Sequence, residues 1–231
     1  MIEIKGLNQF YGQSHTLWDL DMQIPEGKCT VLMGRNGVGK TTLLQCIMGL
    51  LPTKSGEINF LGNNITKLAA EKRAPIGIGY VPQGRQIFPL LTVEENLRIG
   101  LPMRKDGTRQ IPEFIYELFP VLKEMLHRRG GDLSGGQQQQ LAIGRALVID
   151  PKLLILDEPT EGIQPNVVAE IGDIIRRLNK EIGLTVLLVE QKLPFARKVA
   201  DNFCIIDRGR QVATGEMQEL NDALVKKYLT V

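Results

Sequence analysis

Several chemistries are excluded by what the chain has little of. Of 231 residues, three are cysteine and two are histidine. Cys29, Cys46 and Cys204 are odd in number, lack CxxC spacing and have no clustered histidine partners. Neither a disulfide framework nor a zinc site is expected, and all three read as reduced core residues. An excess of one charge is also missing. The 28 basic residues against 26 acidic ones leave +2, and aromatics make up 5%. With no basic stripe carrying stacking rings, no nucleic-acid partner is expected. The best apolar run, residues 184–189, has strand length, far below the roughly 18 residues that a bilayer crossing needs. The opening Met1-Ile2-Glu3-Ile4-Lys5 places an acid where an export leader would be basic. Neither a membrane span nor export is expected. The remainder, 43% hydrophobic and 23% charged, is ordinary for a compact chain with a substantial core.

Strand and helix signals alternate along the chain. Residues 2–7 and 17–24, broken by Gly12 and by Pro25-Glu26-Gly27, read as antiparallel strands. Residues 29–33 form an apolar strand running into a glycine loop and then a helix over 41–50, which Pro52 and Gly56 close ahead of a strand over 57–61. Between residues 84 and 132 the texture changes. Pro89, Pro102, Pro112 and Pro120 separate helical pieces, and Pro120 is expected to kink or split the helix carrying Phe114, Leu118, Leu122 and Met125. Residues 153–156 and 184–189 are continuous apolar strands flanking a helix whose Val167, Ile171, Ile174, Ile175 and Leu178 share a face. This is the pattern of a parallel α/β sheet with an inserted helical segment. Residues 216–231 read as one peripheral helix.

The chemistry starts at Gly34-Arg35-Asn36-Gly37-Val38-Gly39-Lys40-Thr41, which fits GxxxxGK[ST] between an apolar strand and a helix. Glycines let successive N–H groups turn inward, the helix N-terminus adds positive potential, Lys40 reaches the β- and γ-phosphates and Thr41 offers a hydroxyl to magnesium. Thr42 continues the cradle. The strand 153–156 delivers Asp157 and Glu158 at the edge where parallel sheets bind ligands. Asp157 is expected to serve magnesium, and Glu158 to orient and deprotonate the attacking water. A second cradle, without lysine, lies at Leu133-Ser134-Gly135-Gly136-Gln137, where a Ser N-cap and two glycines open a helix over 138–148.

With these three segments the chain resembles the ATP-binding cassette (ABC) ATPases over essentially its whole length. The resemblance implies an α/β fold with a mostly parallel sheet core, an antiparallel β subdomain and an inserted helical subdomain. It implies one ABC domain over 1–231, with 1–83 and 133–231 as the core and 84–132 as the helical part. It implies ATP and Mg2+ as ligands and a head-to-tail pair of cassettes, each ATP lying between one chain's phosphate loop and the other's Ser134–Gln137 segment. Tyr11 stands where the family stacks an aromatic on adenine, and Gln83 where it has a glutamine contacting magnesium and water. Residues 84–91, with Phe88, match the surface that grips a helix of an integral membrane permease subunit. Read alone, Phe88 is equally a core residue or an exposed patch.

The chain departs from the family's pattern in two places. A histidine usually follows the second apolar strand, but here Glu190-Gln191 does. Gln191 can donate a hydrogen bond yet cannot become cationic. Where Ser-Ala-Leu-Asp is common after the acidic pair, this chain has Glu161-Gly162-Ile163-Gln164-Pro165. These departures resemble the importers of branched-chain amino acids and urea, which pair two different cassettes; the segment from Gly34 to Lys40, Arg128-Arg129-Gly130-Gly131-Asp132 leading into Leu-Ser-Gly-Gly-Gln, and Glu161-Gly162-Ile163-Gln164-Pro165 together look closest to the urea group. The resemblance thus implies an ATP-hydrolysing subunit of a urea importer, peripheral on the cytoplasmic face of the membrane. It also implies a histidine-bearing paralogue as second cassette and an indirect periplasmic solute-binding partner. A branched-chain amino-acid importer shares nearly every feature. A soluble cassette ATPase or a small P-loop kinase shares the phosphate loop, although a kinase has no use for the Ser-Gly-Gly helix.

Overall fold

In the computed structural model, which describes residues 1–230, the alternating opening segment forms β1 (Ile2–Tyr11) and β2 (Ser14–Ile24), paired antiparallel. The apolar run β3 (Cys29–Met33) leads through the glycine loop into α1 (Lys40–Ile47). Next come β4 (Ser55–Phe60) and the short β5 (Asn63–Asn64), which complete a four-stranded sheet in the order β2-β1-β4-β5. β6 (Ile78–Val81) then enters a second sheet.

Short helices follow: α2 (Val93–Arg98), α3 (Glu113–Leu118) and α4 (Pro120–Glu124). Pro120 occupies the first turn of α4, so the expected break falls there. α5 (Gly135–Val148) starts earlier than its sequence pattern suggested, because Ser134 closes a capping box with Gln137. The remaining elements are β7 (Leu153–Asp157), α6 (Pro165–Lys180), β8 (Thr185–Val189), α7 (Leu193–Val199), β9 (Asn202–Asp207), β10 (Arg210–Glu216) and α8 (Asp222–Tyr228). The expected single C-terminal helix is instead the last residue of β10, a 3₁₀ turn at Met217–Glu219 and α8, which starts where the Asn221 side chain accepts from the Leu224 N–H. Val231 lies outside the described residues.

The second sheet runs β10-β9-β3-β8-β7-β6, parallel except for the β10 edge. Its central strands β3, β7 and β8 are buried at every position and apolar at nearly all, because both faces are covered. Leu153 and Ile155 of β7 face the core shared with α1 and the antiparallel sheet, while Leu154 and Leu156 face the core shared with α5, α6 and the short helices. All three cysteines are free and buried in these cores, and burial is the first cause pushing each thiol up to about 12. No helix among the described residues is long and apolar enough to cross a membrane.

The loop over 84–91 is pinned from below by Asn96, which is fully buried. Its side-chain oxygen accepts from the Phe88 N–H at 2.9 Å, and its NH2 donates to the carbonyls of Phe88, Leu91 and Thr92 at 3.0, 3.2 and 2.9 Å. Asn96→Ala strands these groups away from water, so it is expected to lower stability by about 2–3 kcal/mol. Thermal denaturation checks this, and an unchanged melting temperature would contradict it.

Candidate active site

Four loops meet at the C-terminal edge of the parallel sheet and enclose a cavity of about 890 Å³. The first follows β3. Within it Gly34, Gly37 and Gly39 have positive φ, and Gly39 reaches +109° at the start of α1. A Cβ at Gly39 would lie 2.9 Å from Leu17 Cδ2, so conformation and space both require glycine there. Lys40 folds back over its own loop, donating to the carbonyls of Gly34 and Arg35 at 2.8 and 2.9 Å. Burial lowers its pKa, opposed by the charges of Glu158 and Asp157. Asn36, Thr41 and Thr42 line the cavity, and Val38 packs on the core behind it. Arg35 points elsewhere: its guanidinium donates to the Thr230 carbonyl. Tyr11, 47% exposed, stands at the cavity wall with its hydroxyl 3.3 Å from Gln45 Oε1, leaving its ring open to a flat ligand.

The second loop carries the acidic pair. Alternation along β7 would point Asp157 and Glu158 to opposite faces. The strand ends at Asp157, however, and Glu158 turns with φ +48°. That left-handed turn, uncommon for a non-glycine residue, lets the Glu158 side chain line the cavity. Asp157 stays beneath, 2% exposed, with its Oδ2 unpartnered and the Thr41 hydroxyl in reach of the carboxylate. A buried orphan carboxylate oxygen beside a hydroxyl is a donor set that fits a hard divalent cation.

The third and fourth loops bring in two glutamines. Gln83 donates to Glu158 Oε2 at 3.4 Å and to Glu161 Oε2 at 2.9 Å. From beyond β8, Gln191 donates to Glu158 Oε1 at 2.5 Å and to Asn36 Oδ1 at 2.8 Å. The Glu158 carboxylate is therefore held between two neutral amides, one on each oxygen. Among the described residues, the cavity wall holds no part of Ser134–Gln137. There the Ser134 hydroxyl accepts the Gln137 N–H at 3.3 Å, and a Cβ at Gly136 would meet Val167 Cγ1 at 2.8 Å. Close packing of α5 on α6 thus accounts for Gly136, for which helix capping alone gives no reason.

Sequence reading missed Thr16, Thr160, Glu161, Glu190 and Lys192 at the cavity wall. It also missed Arg85, whose guanidinium spans from Gln138 Oε1 at 3.3 Å to the carbonyls of Glu161 and Gly162 at 3.4 and 3.5 Å. For all but Thr16, which follows Tyr11 by five residues, only nearness in sequence to Gln83, Glu158 or Gln191 could have signalled them. Phe88 is 46% exposed, with the Arg145 guanidinium 5.1 Å from its ring centroid, so of the two sequence readings the surface one holds.

The model of the family described as ABC transporter matches residues 17–161. The chain is 41% identical over 232 residues to the high-affinity branched-chain amino acid transport ATP-binding protein BraG of Pseudomonas aeruginosa, covering 99% of each. It is 38% identical over 221 residues to the probable branched-chain amino acid transport ATP-binding protein LivF of Archaeoglobus fulgidus, covering 95% of this chain and 94% of that one. Among solved structures it superposes with a TM-score of 0.83, at 26% identity and over 94% of this chain and 99% of the other, on an ATP-binding cassette in a dimeric post-hydrolysis state bound to ADP and phosphate.

Burial first, then the Glu158 charge, pushes Asp157 from 3.8 up to about 6. Between about pH 4 and 6 the folded chain holds a proton that the unfolded chain has lost, so this group adds stability as pH falls through that window and costs stability above it. Asp157→Asn is expected to stabilise the nucleotide-free chain at pH 7 by on the order of 2 kcal/mol, a gain that shrinks toward pH 4. Melting temperatures measured across pH check this, and a loss at pH 7 would contradict it.

Proposed function

We propose a transport role from one premise: this chain belongs to the ABC transporter family. It is an ATP-binding ATPase subunit. Within that frame we assign it to a branched-chain amino-acid importer. Support comes from the two relatives at 41% and 38% identity, both named for branched-chain amino acid transport. The urea specificity expected from the segments over 34–40, 128–137 and 161–165 rests on residue resemblance alone, and these relatives favour the other solute class.

The observation that carries the mechanism is the Glu158 carboxylate at the cavity wall, beside Lys40 and held by Gln83 and Gln191. Tyr11 stacks on the adenine, and the loop over 34–42 wraps the phosphates, with Lys40 moving from the Gly34 and Arg35 carbonyls to the β- and γ-phosphates. Thr41 and Asp157 would hold magnesium, with Gln83 nearby, and the ion would neutralise phosphate charge. Glu158 accepts the proton of the attacking water, which Gln83 and Gln191 orient. Gln191 stays neutral throughout, so its grip on the developing charge is weaker than an imidazolium's. Ser134, Gly135, Gly136 and Gln137 serve the ATP held by a second cassette, a histidine-bearing paralogue in this reading. Residues 84–91 present Phe88 to a permease subunit, which a periplasmic binding protein supplies with solute. The chain accordingly works on the cytoplasmic face of the membrane.

Glu158→Gln is expected to keep ATP affinity and lose turnover by about 10³-fold or more, whereas Lys40→Ala loses ATP binding itself. Nucleotide binding and phosphate release measured in parallel test both, and retained turnover in Glu158→Gln overturns the base assignment. Gln191→His is expected to raise turnover of the assembled complex, and no change would count against a limiting role for the missing imidazole. Stimulation of that complex's ATPase by leucine, isoleucine and valine rather than by urea tests the solute; the reverse order restores the urea reading.

A further inference from the structure

Behind the contact between Gln191 and Glu158 lies a carboxylate to which no role is yet assigned. Glu190 is 3% exposed, and its partners are neutral. Its Oε1 accepts the backbone N–H groups of Gln191 and Lys192 at 2.8 and 3.0 Å, and its Oε2 accepts the Thr160 hydroxyl at 2.6 Å. Lys192 closes the ring from the other side, its ammonium donating to the Thr160 carbonyl at 3.0 Å. A buried carboxylate is tolerated only when its oxygens are satisfied in good geometry, so these donors are held as firmly as they hold it. A local cap ahead of α7 would explain the two backbone bonds. It does not explain the bond to Thr160, 30 residues away in sequence and two beyond Glu158.

We infer that Glu190 is a positioning residue for ATP hydrolysis, clamping the loop of Glu158 and Thr160 to the turn of Gln191 and Lys192 through the Thr160 hydroxyl. The clamp sets the separation at which the Gln191 amide meets the Glu158 carboxylate, 2.5 Å in this structure. A buried, fully bonded anchor behind a reacting group holds it to the fraction of an ångström that chemistry requires. The inference rests on the roles proposed above for Glu158 and Gln191.

Steady-state ATP hydrolysis by the full chain, with amide hydrogen exchange, tests it. Glu190→Gln keeps the shape, but the end facing the Thr160 hydroxyl becomes an NH2, which cannot accept that hydroxyl's proton. It is expected to lower kcat by about tenfold to a hundredfold while KM for MgATP stays within about twofold. The Gln191 and Lys192 amides are expected to exchange at least about tenfold faster, with β8 amides unchanged. Thr160→Val, which loses the hydroxyl, falls similarly, and Thr160→Ser, which keeps it, retains at least about tenfold more kcat than Thr160→Val. The double variant Glu190→Gln/Thr160→Val loses less than the product of the single losses. Should Glu190→Gln not fold, the comparison of Ser with Val at position 160 decides alone. Full kcat in Glu190→Gln, a loss carried wholly by KM, unchanged exchange at 191 and 192, or equal loss in Thr160→Ser and Thr160→Val each overturns the clamp. If Glu158→Gln also turns over, the site assignment fails; if Glu158→Gln is inactive while Glu190→Gln is fully active, only the clamp fails.

Discussion

The parallel ladder of β3, β8 and β7 is the constraint on which the site depends. Backbone bonds set Leu32 beside Val189 and Val189 beside Asp157, so three strands end level with one another. The chain leaving each strand therefore begins at the same edge: the glycine loop after Met33, the acidic turn at Glu158 and the turn at Glu190. Registers of this kind are fixed by burial on both faces, because a one-residue slip would exchange the two core-facing sets of every strand. The cross-link from the Glu158 N–H to the Val189 carbonyl, 3.0 Å long, extends the same alignment one residue past the ladder.

Within that edge the local charges are unequal. Carboxylates at Asp157, Glu158, Glu161 and Glu190 gather around two lysines, Lys40 and Lys192. Burial and mutual repulsion make this costly for the nucleotide-free chain, as the upward displacement of Asp157 and the downward displacement of Lys40 both record. A divalent cation carrying phosphates would relieve the first of these by supplying opposite charge beside Asp157. Neutral amides manage the rest. Gln83 and Gln191 bond both Glu158 oxygens without adding charge.

A second set of contacts connects the site to the loop over 84–91. Gly84, Arg85 and Gln86 are consecutive residues with positive φ, and two arginines hold this sharp turn against α5. Arg85 reaches Gln138 and the carbonyls past the acidic pair, while Arg145 bonds the Gln86 carbonyl at 2.8 Å and covers Phe88. Beneath them Asn96 fixes the loop's backbone. The exposed Phe88 is thus mechanically joined to the helix that Ser134 caps.

The sequence by itself determined the parallel core, the glycine loop, the acidic pair and the break at Pro120, because each is written in contiguous residues: apolar runs of strand length, glycines at fixed spacing, a proline in a helical pattern. It also fixed the absence of histidine beyond β8. The tertiary structure alone decided which distant groups meet. Thr160 bonds Glu190 across 30 residues, Gln83 meets Glu161 across 78, and Arg85 reaches Gln138 across 53. It decided the direction of Glu158 through a left-handed φ that no spacing rule predicts, and it turned Arg35 away from the cavity toward Thr230. It also placed Phe88 at the surface. Local propensity and periodicity act over a few residues, whereas these pairings follow from strand order and crossover, which bring loop ends together whatever their distance along the chain.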